Sequence, residues 1–221
     1  MYKCEHDDNH AAISNRLAEI GVDEASTAVN EDLKIRQSIM AGSLKLLYHS
    51  GYNKLTMKNI SEQLNIDMET LSSLYSSPIE IMTETIQWAI RFGDALRNDL
   101  EGLAAPGEKL KRYILMHFAF ISSNPAMASL LLADESISGS RRVHKKLKQL
   151  RSHRIELLKH ILTDGSTREH WVSDDIDQMA LMILGFMRMT VASWKQSHKH
   201  ESPYVRGKIA AQFIQEVLVA K

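Results

Sequence analysis

From Leu33 onward the chain repeats one grammar: apolar residues three and four apart, interrupted by short polar segments that hold most of its ten glycines and four prolines. Ile35, Ile39, Gly42, Leu46 and Leu47 share one helical face, and that run stops at Gly51. Thr56 is placed to cap a short helix with Ile60 and Leu64 inward. Asn65-Ile66 makes a turn, and Asp67 caps another short helix with Leu71 and Leu74 inward. Ser77-Pro78-Ile79-Glu80 then puts serine at N-cap, proline at N1 and glutamate at N3, a capping box that opens a long helix to about Glu101.

The same signals continue to the end. Pro106-Gly107 separates the long helix from one over about 108–122, and Asn124-Pro125 caps a helix to about Glu135. Ser140 starts a helix reaching Leu162, stopped by Asp164-Gly165. Ser173 caps a helix over 174–199, and Ser202-Pro203 opens the last, over 203–220. No stretch alternates with period two long enough for a strand, and nothing repeats at a fixed period. The expected fold is all-α with about nine helices. Residues 1–30 form a polar N-terminal extension, in which His10 to Ile20 can make a short helix. Residues 31–77 have the organisation of a helix-turn-helix head, and 78–221 make a helical bundle.

The head carries a specific pattern. Arg36, Ile39, Met40, Leu44, Leu46, Leu47, Gly51, Tyr52, Thr56, Ile60, Leu64 and Ile66 fall, without a gap, on an arginine, apolar pairs, a glycine, an aromatic, a threonine and apolar anchors. In this the chain resembles the TetR/AcrR family of transcriptional regulators, over residues 33–82. The resemblance implies a dimeric, ligand-responsive repressor that reads a pseudo-palindromic site on double-stranded DNA. Its C-terminal domain would take a small apolar or amphipathic effector, shift helix four and change the spacing of two heads. The third helix departs from the family, where tyrosine, histidine and lysine grip phosphates. Here Ser72, Leu74 and Pro78 stand instead. Five bases meet five acids across residues 31–77, so the head is neutral, whereas phosphate neutralisation normally supplies much of such a head's affinity.

On the recognition helix, Met68, Glu69, Thr70 and Ser73 point outward. Glutamate can accept from a cytosine amino group, and Thr70 or Met68 can touch a thymine methyl. Thr56 and Lys58 at the start of helix two are placed to hold phosphates. The competing reading is a solvated face on an inherited scaffold. It leads to the alternative function, a non-enzymatic protein-interaction regulator that kept the fold and lost strong DNA binding.

Composition narrows the rest. Twenty-seven bases balance twenty-seven acids, which argues against an indiscriminate nucleic-acid coat. Cys4 is the only cysteine, so neither an intramolecular disulfide nor a cysteine-based zinc site is expected. The first residues hold no apolar core of a signal peptide, and the longest apolar run, Ala180 to Met187, is too short to span a bilayer. A soluble cytoplasmic protein is expected. Cys4, His6, Asp7, Asp8 and His10 are metal-ligand types, but ordering that polar segment costs entropy and no metal site is assigned. His198 and His200 end a helix, where they complement its dipole. No nucleophile–base pair, phosphate loop or dinucleotide fingerprint occurs, so neither catalysis nor a cofactor is expected.

Two further signals concern the bundle. Between Arg141 and His160, eight bases face Glu156 alone, which reads as a solvated face with Val143, Leu147 and Leu150 packing below rather than as a docking surface. Trp88 and Phe92 on helix four, Met116, His117 and Phe120 on helix five, and Met182 and Phe186 on helix eight are candidates for one apolar effector cavity, though such a stripe also serves as plain core. Residues 179–187 are apolar all round, and the last helix has a stripe too broad for one neighbour. A homodimer through the last two helices is the expected cover.

Overall fold

The computed structural model describes residues 27–132, 140–171, 175–197 and 201–219. Nine α-helices, and no strand, run through these described residues: α1 (Thr27–Ser50), α2 (Met57–Leu64), α3 (Met68–Leu74), α4 (Pro78–Glu101), α5 (Pro106–Ser123), α6 (Met127–Leu132), α7 (Arg141–Arg168), α8 (Ile176–Gln196) and α9 (Pro203–Val219). The histidine- and aspartate-bearing start of the chain with Cys4, the end proposed for α6 at Glu135, the Ser173 cap, and His198 and His200 lie outside the described residues.

The head folds by local chemistry. Thr56 Oγ1 accepts from the Asn59 amide at 3.2 Å and starts α2, and Asn65, at φ 51°, takes the left-handed turn that ends it. Asp67 accepts from the Thr70 amide at 2.7 Å and starts α3 at a sharp angle. Ile39, Leu44, Leu47, Ile60, Leu71 and Tyr75 close into the small core that these helices share. Arg36 then fastens the head to the body. It lies 5.1 Å over the Tyr75 ring, 3.1 Å from Asp32 and 3.5 Å from Glu84 of α4.

Several boundaries differ from the sequence reading. The first helix begins at Thr27 rather than Leu33, so it takes in the end of the proposed extension. The box at α4 is shifted by one residue: Ser77 caps the Glu80 amide, but the Glu80 carboxylate turns back to the amide and hydroxyl of Ser76, each at 2.8 Å. Pro106 is helical, at N1 of α5. Asp175 caps α8, accepting from the Gln178 amide at 3.0 Å, so the helix begins at Ile176 rather than 174.

Gly165 does not stop α7. The helix passes through it to Arg168, because Asp164 is held by Lys109 at 3.0 Å and by Arg168 at 3.3 Å, and because the Trp171 ring lies flat against the bare Cα. A Cβ there would enter the indole. Glycine at this site is a docking surface for tryptophan rather than a helix breaker.

In the body, α9 packs along α5, α4 runs beside α7, and α7 and α8 close the bundle. Gly207 sets the spacing of α9 on α5, since a Cβ would fall 2.5 Å from Phe118 Cβ. Gly185 on α8 has nothing within 4 Å. Gly207→Ala is expected to cost about 1–3 kcal/mol by overpacking. Gly185→Ala is expected to gain about 0.5–1 kcal/mol by helix preference alone. Denaturant unfolding measures both, and equal midpoints would show that α9 slides freely along α5.

Candidate DNA-contacting head and ligand cleft

The head presents α3 outward. Met68, Glu69 and Ser73 are exposed and Thr70 is half-buried. Two hydroxyl protons are already committed: Thr70 Oγ1 donates to Asp67 Oδ2 at 2.7 Å, and Ser73 Oγ donates to the Thr70 carbonyl at 2.8 Å. Only their lone pairs remain for bases, so both can accept from base amino groups. Thr56 is exposed with its hydroxyl oxygen occupied as a cap, and Lys58 reaches solvent with Glu62 3.8 Å away. The Asp67 carboxyl sits below the usual carboxylate range because the Thr70 amide and hydroxyl donate to it. The leading end of α3 is therefore negative.

The seven predicted cavity residues do not share one space. Trp88, Phe92 and Phe120 pack together between α4 and α5: Phe92 and Phe120 stack at 4.3 Å, and Trp88 leans on Phe120 at 5.1 Å. Met116 is buried on α5. The space left beside Phe92, His117 and Phe120 is about 20 Å³, room for one water. Met182 and Phe186 point out of the molecule, 60% and 40% exposed. Ala180, Ile183, Met187 and Val191 are the residues of α8 that turn inward. With apolar residues all round the helix, period alone could not tell the two faces apart.

The space expected between α4, α5 and α8 is nearly filled, and a cleft of about 200 Å³ opens between α5, α6, α7 and α8. Phe118, Leu130, Leu147, Leu150, Met187 and Val191 supply apolar wall, and of the predicted set only His117 lines it. Arg151, Arg154 and Arg188 add positive charge. Sequence reasoning missed these arginines because two of them belong to the basic run of α7, read there as a solvated face. The signal was available: Arg151 and Arg154 are spaced with Leu147, Leu150 and Ile155, on the cleft side of the helix.

A buried knot forms the floor. His117 Nδ1 donates to the Tyr113 carbonyl at 2.9 Å, and Arg154 Nε donates to His117 Nε2 at 3.1 Å. An arginine must donate, which fixes the imidazole as neutral with its proton on Nδ1. The Tyr113 hydroxyl in turn donates to the Arg154 carbonyl at 3.2 Å. Burial, with the Arg154 charge added, pushes the His117 pKa down to about 3. Arg188 donates to the Leu132 carbonyl at 2.9 Å, joining α8 to the end of α6. Lys195 donates to Ser129 Oγ at 2.9 Å and lies 4.5 Å over the Tyr48 ring of α1, and its burial lowers its pKa.

A three-helix head on a helical bundle that carries a cleft is the layout of a helix-turn-helix regulator. Residues 88–214, more than half of the chain, match the TetR C-terminal family model described as YsiA-like protein, C-terminal region. The chain belongs to the TetR family of transcriptional regulators. Proteins of this family bind DNA and small-molecule effectors, form dimers and are generally not enzymes.

Among solved structures, the fatty acid degradation regulator FadR of Bacillus halodurans superposes with a TM-score of 0.71 at 17% identity, over 81% of this chain and 93% of that one. FadR of Bacillus subtilis, in complex with stearoyl-CoA, gives 0.70 at 16% identity, over 82% and 98%. A transcriptional regulator of Saccharomonospora viridis, in complex with choline, gives 0.70 at 14% identity, over 85% and 99%. At such identities the likeness is one of fold. No curated protein matches the chain in sequence. No helix among the described residues is long and apolar enough to cross a membrane, and no group of three or more metal-ligand side chains comes together there.

The buried imidazole has a pH consequence. Unfolded, it protonates near 6.5; folded, it resists until about 3. Its contribution is complete above pH 6.5 and is lost as pH falls towards 3, by up to roughly 1.4 kcal/mol per unit. Between pH 7 and 5 the wild type should lose on the order of 2 kcal/mol more than His117→Gln. Parallel stability–pH curves would mean that the native imidazole protonates freely.

Proposed function

We propose that the protein is a dimeric transcriptional repressor, working in the cytoplasm, whose effector is an amphipathic anion bound between α5, α6, α7 and α8. The observation that carries this reading is the pairing of apolar cleft walls with Arg151, Arg154 and Arg188. An apolar body gains from the walls, and an acidic group gains from guanidinium donors held in a partly dry site. Stearoyl-CoA, the ligand in the Bacillus subtilis FadR complex, has this character, an apolar chain on an anionic nucleotide. Choline, in the Saccharomonospora viridis complex, is a cation that three arginines would repel.

In this reading α1–α3 form the DNA-binding head and α4–α9 the effector and dimer domain. Thr56, Lys58, Met68, Glu69, Thr70 and Ser73 face the DNA. Binding in the cleft reaches the head by two contacts: Arg36 with Glu84 on α4, and Lys195, which spans Ser129 of α6 and Tyr48 of α1. The effector works only as far as it prefers the cleft geometry of the released state. The neutral head, with Asp67 and Glu69 at the leading end of α3, favours modest affinity for DNA and keeps a second reading in view, a regulator that acts through a protein partner.

Dimerisation is supported by a continuous apolar face. Leu181, Met182, Phe186 and Met189 on α8 and Val205, Ile209, Phe213 and Val217 on α9 are all at least 40% exposed, and Phe186 stacks on Phe213 at 5.2 Å. Ala210, Ile214 and Leu218 on the other side of α9 are buried. A water-facing patch of this kind calls for a partner, and a second copy placed by a two-fold axis covers both helices at once.

Two experiments test these proposals. Long-chain acyl-CoA should raise the melting temperature and release the protein from DNA, while choline should do neither. Arg188→Ala should weaken acyl-CoA binding about tenfold or more, the loss of roughly one charge-assisted hydrogen bond. An anion that binds equally well to the variant would place its head elsewhere. Separately, Ile209→Glu with Phe213→Glu should turn the dimer into a folded monomer by light scattering. A dimer that survives both changes would exclude this face.

A further inference from the structure

The head lacks the charge that DNA binding demands, and α7 has it. Arg141, Arg142 and Lys145 are exposed in the first turns of α7, and none forms a close ion pair among the described residues. Where they stand follows from the pairing of α4 with α7. Lys146 Nζ meets Gln87 Oε1 at 2.6 Å and His153 Nε2 lies 3.4 Å from Asp94 Oδ1, both pairs 59 residues apart, so the two helices run parallel in one register. That register sets Arg141 and Arg142 level with Met82 and Thr83. They lie four and five residues, or ~6–7.5 Å along the axis, behind Pro78, where α4 leaves the recognition helix, and Lys145, level with Ile86, lies about one further turn behind. An extended arginine side chain covers about the first of these steps.

Electrostatics agree with the geometry. Glu80, in the first turn of α4, is held below the usual carboxylate range first by the Ser76 amide and hydroxyl, and the charges of Arg142 and Arg36 add to the effect. The start of α7 is thus close enough to act on the segment that joins α3 to α4.

We infer that Arg141, Arg142 and Lys145 form a second DNA-contacting patch, which grips the phosphodiester backbone beside the bases faced by α3. The inference rests on the DNA-binding reading above. It relocates the charged phosphate grip from Ser72, Leu74 and Pro78, which carry no positive charge, to a helix of the ligand domain. Because α7 also carries Arg151 and Arg154 of the cleft, a ligand that displaces α7 moves this grip directly, in addition to any shift of α4.

The test is a salt titration of DNA binding by the full chain, with a mixed-sequence duplex as probe, since backbone contacts need no particular sequence. Arg141→Gln/Arg142→Gln/Lys145→Gln is compared with a charge-matched control, Arg91→Gln/Arg97→Gln/Lys111→Gln, in the second half of α4 and the first turns of α5, away from the Pro78 end of α4. Both sets replace surface side chains, and circular dichroism and thermal melting check that each variant folds. The patch variant should bind more weakly, and its plot of log affinity against log salt should flatten by roughly 0.9 unit for each phosphate no longer neutralised, with the control unchanged. Wild-type binding with equal slopes in all three proteins would overturn the patch and leave the regulator standing. Failure of the wild type to bind the duplex at low salt would overturn both.

Discussion

A neutral imidazole between two helices holds the ligand domain together. His117 spends its proton on the Tyr113 carbonyl of its own helix and its lone pair on Arg154 of α7, while Tyr113 returns a hydrogen bond to the Arg154 backbone. Taking an arginine part-way out of water is costly unless its donors are met, and the neutral ring meets one without adding a second charge. The arrangement sets how closely α7 approaches α5, and it divides the interior. On one side the aromatic stack of Trp88, Phe92 and Phe120 is solid. On the other, leucines and arginines leave the space in which an effector is proposed to bind.

That division explains why the cleft is amphipathic. Arg154 is positioned by the knot, Arg188 by the Leu132 carbonyl, and both still carry donors able to turn to a ligand. The same elements continue to the head. Lys195, two turns beyond Arg188 on α8, is shared between Ser129 and the Tyr48 ring, so the walls of the cleft end on α1. In the proposed function, coupling between effector and DNA needs no long pathway, only a change in how α6, α7 and α8 sit on α1 and α4.

The charge distribution is the other organising feature. Acids and bases balance over the whole chain and again within the head, yet eight bases crowd onto one stretch of α7. A neutral total thus conceals a strongly polar layout, with the leading end of α3 negative and the parallel start of α7 positive. Fields act over a Debye length of about 8–10 Å, so for a nucleic acid the local arrangement outweighs the sum.

Much of this was written in local sequence. Thr56, Asp67 and Ser77 each hold a helix start by accepting from the amide three residues on, and Leu71 with the Tyr75 that ends α3 is apolar at helical spacing, so helix order and the helix-turn-helix head followed from neighbours within a few residues. What lay beyond such neighbours was decided by packing. Gly165 looked like a stop and became the seat of Trp171, because the indole comes back from six residues further along. Met182 and Phe186 looked like cavity and became exterior, because α8 is apolar on every side and only the position of α5, α7 and α9 chooses which side is inside. Arg151 stays exposed and Arg154 is half-buried, yet both line the cleft, because which residues border a helix–helix seam depends on a partner that no one-dimensional period records.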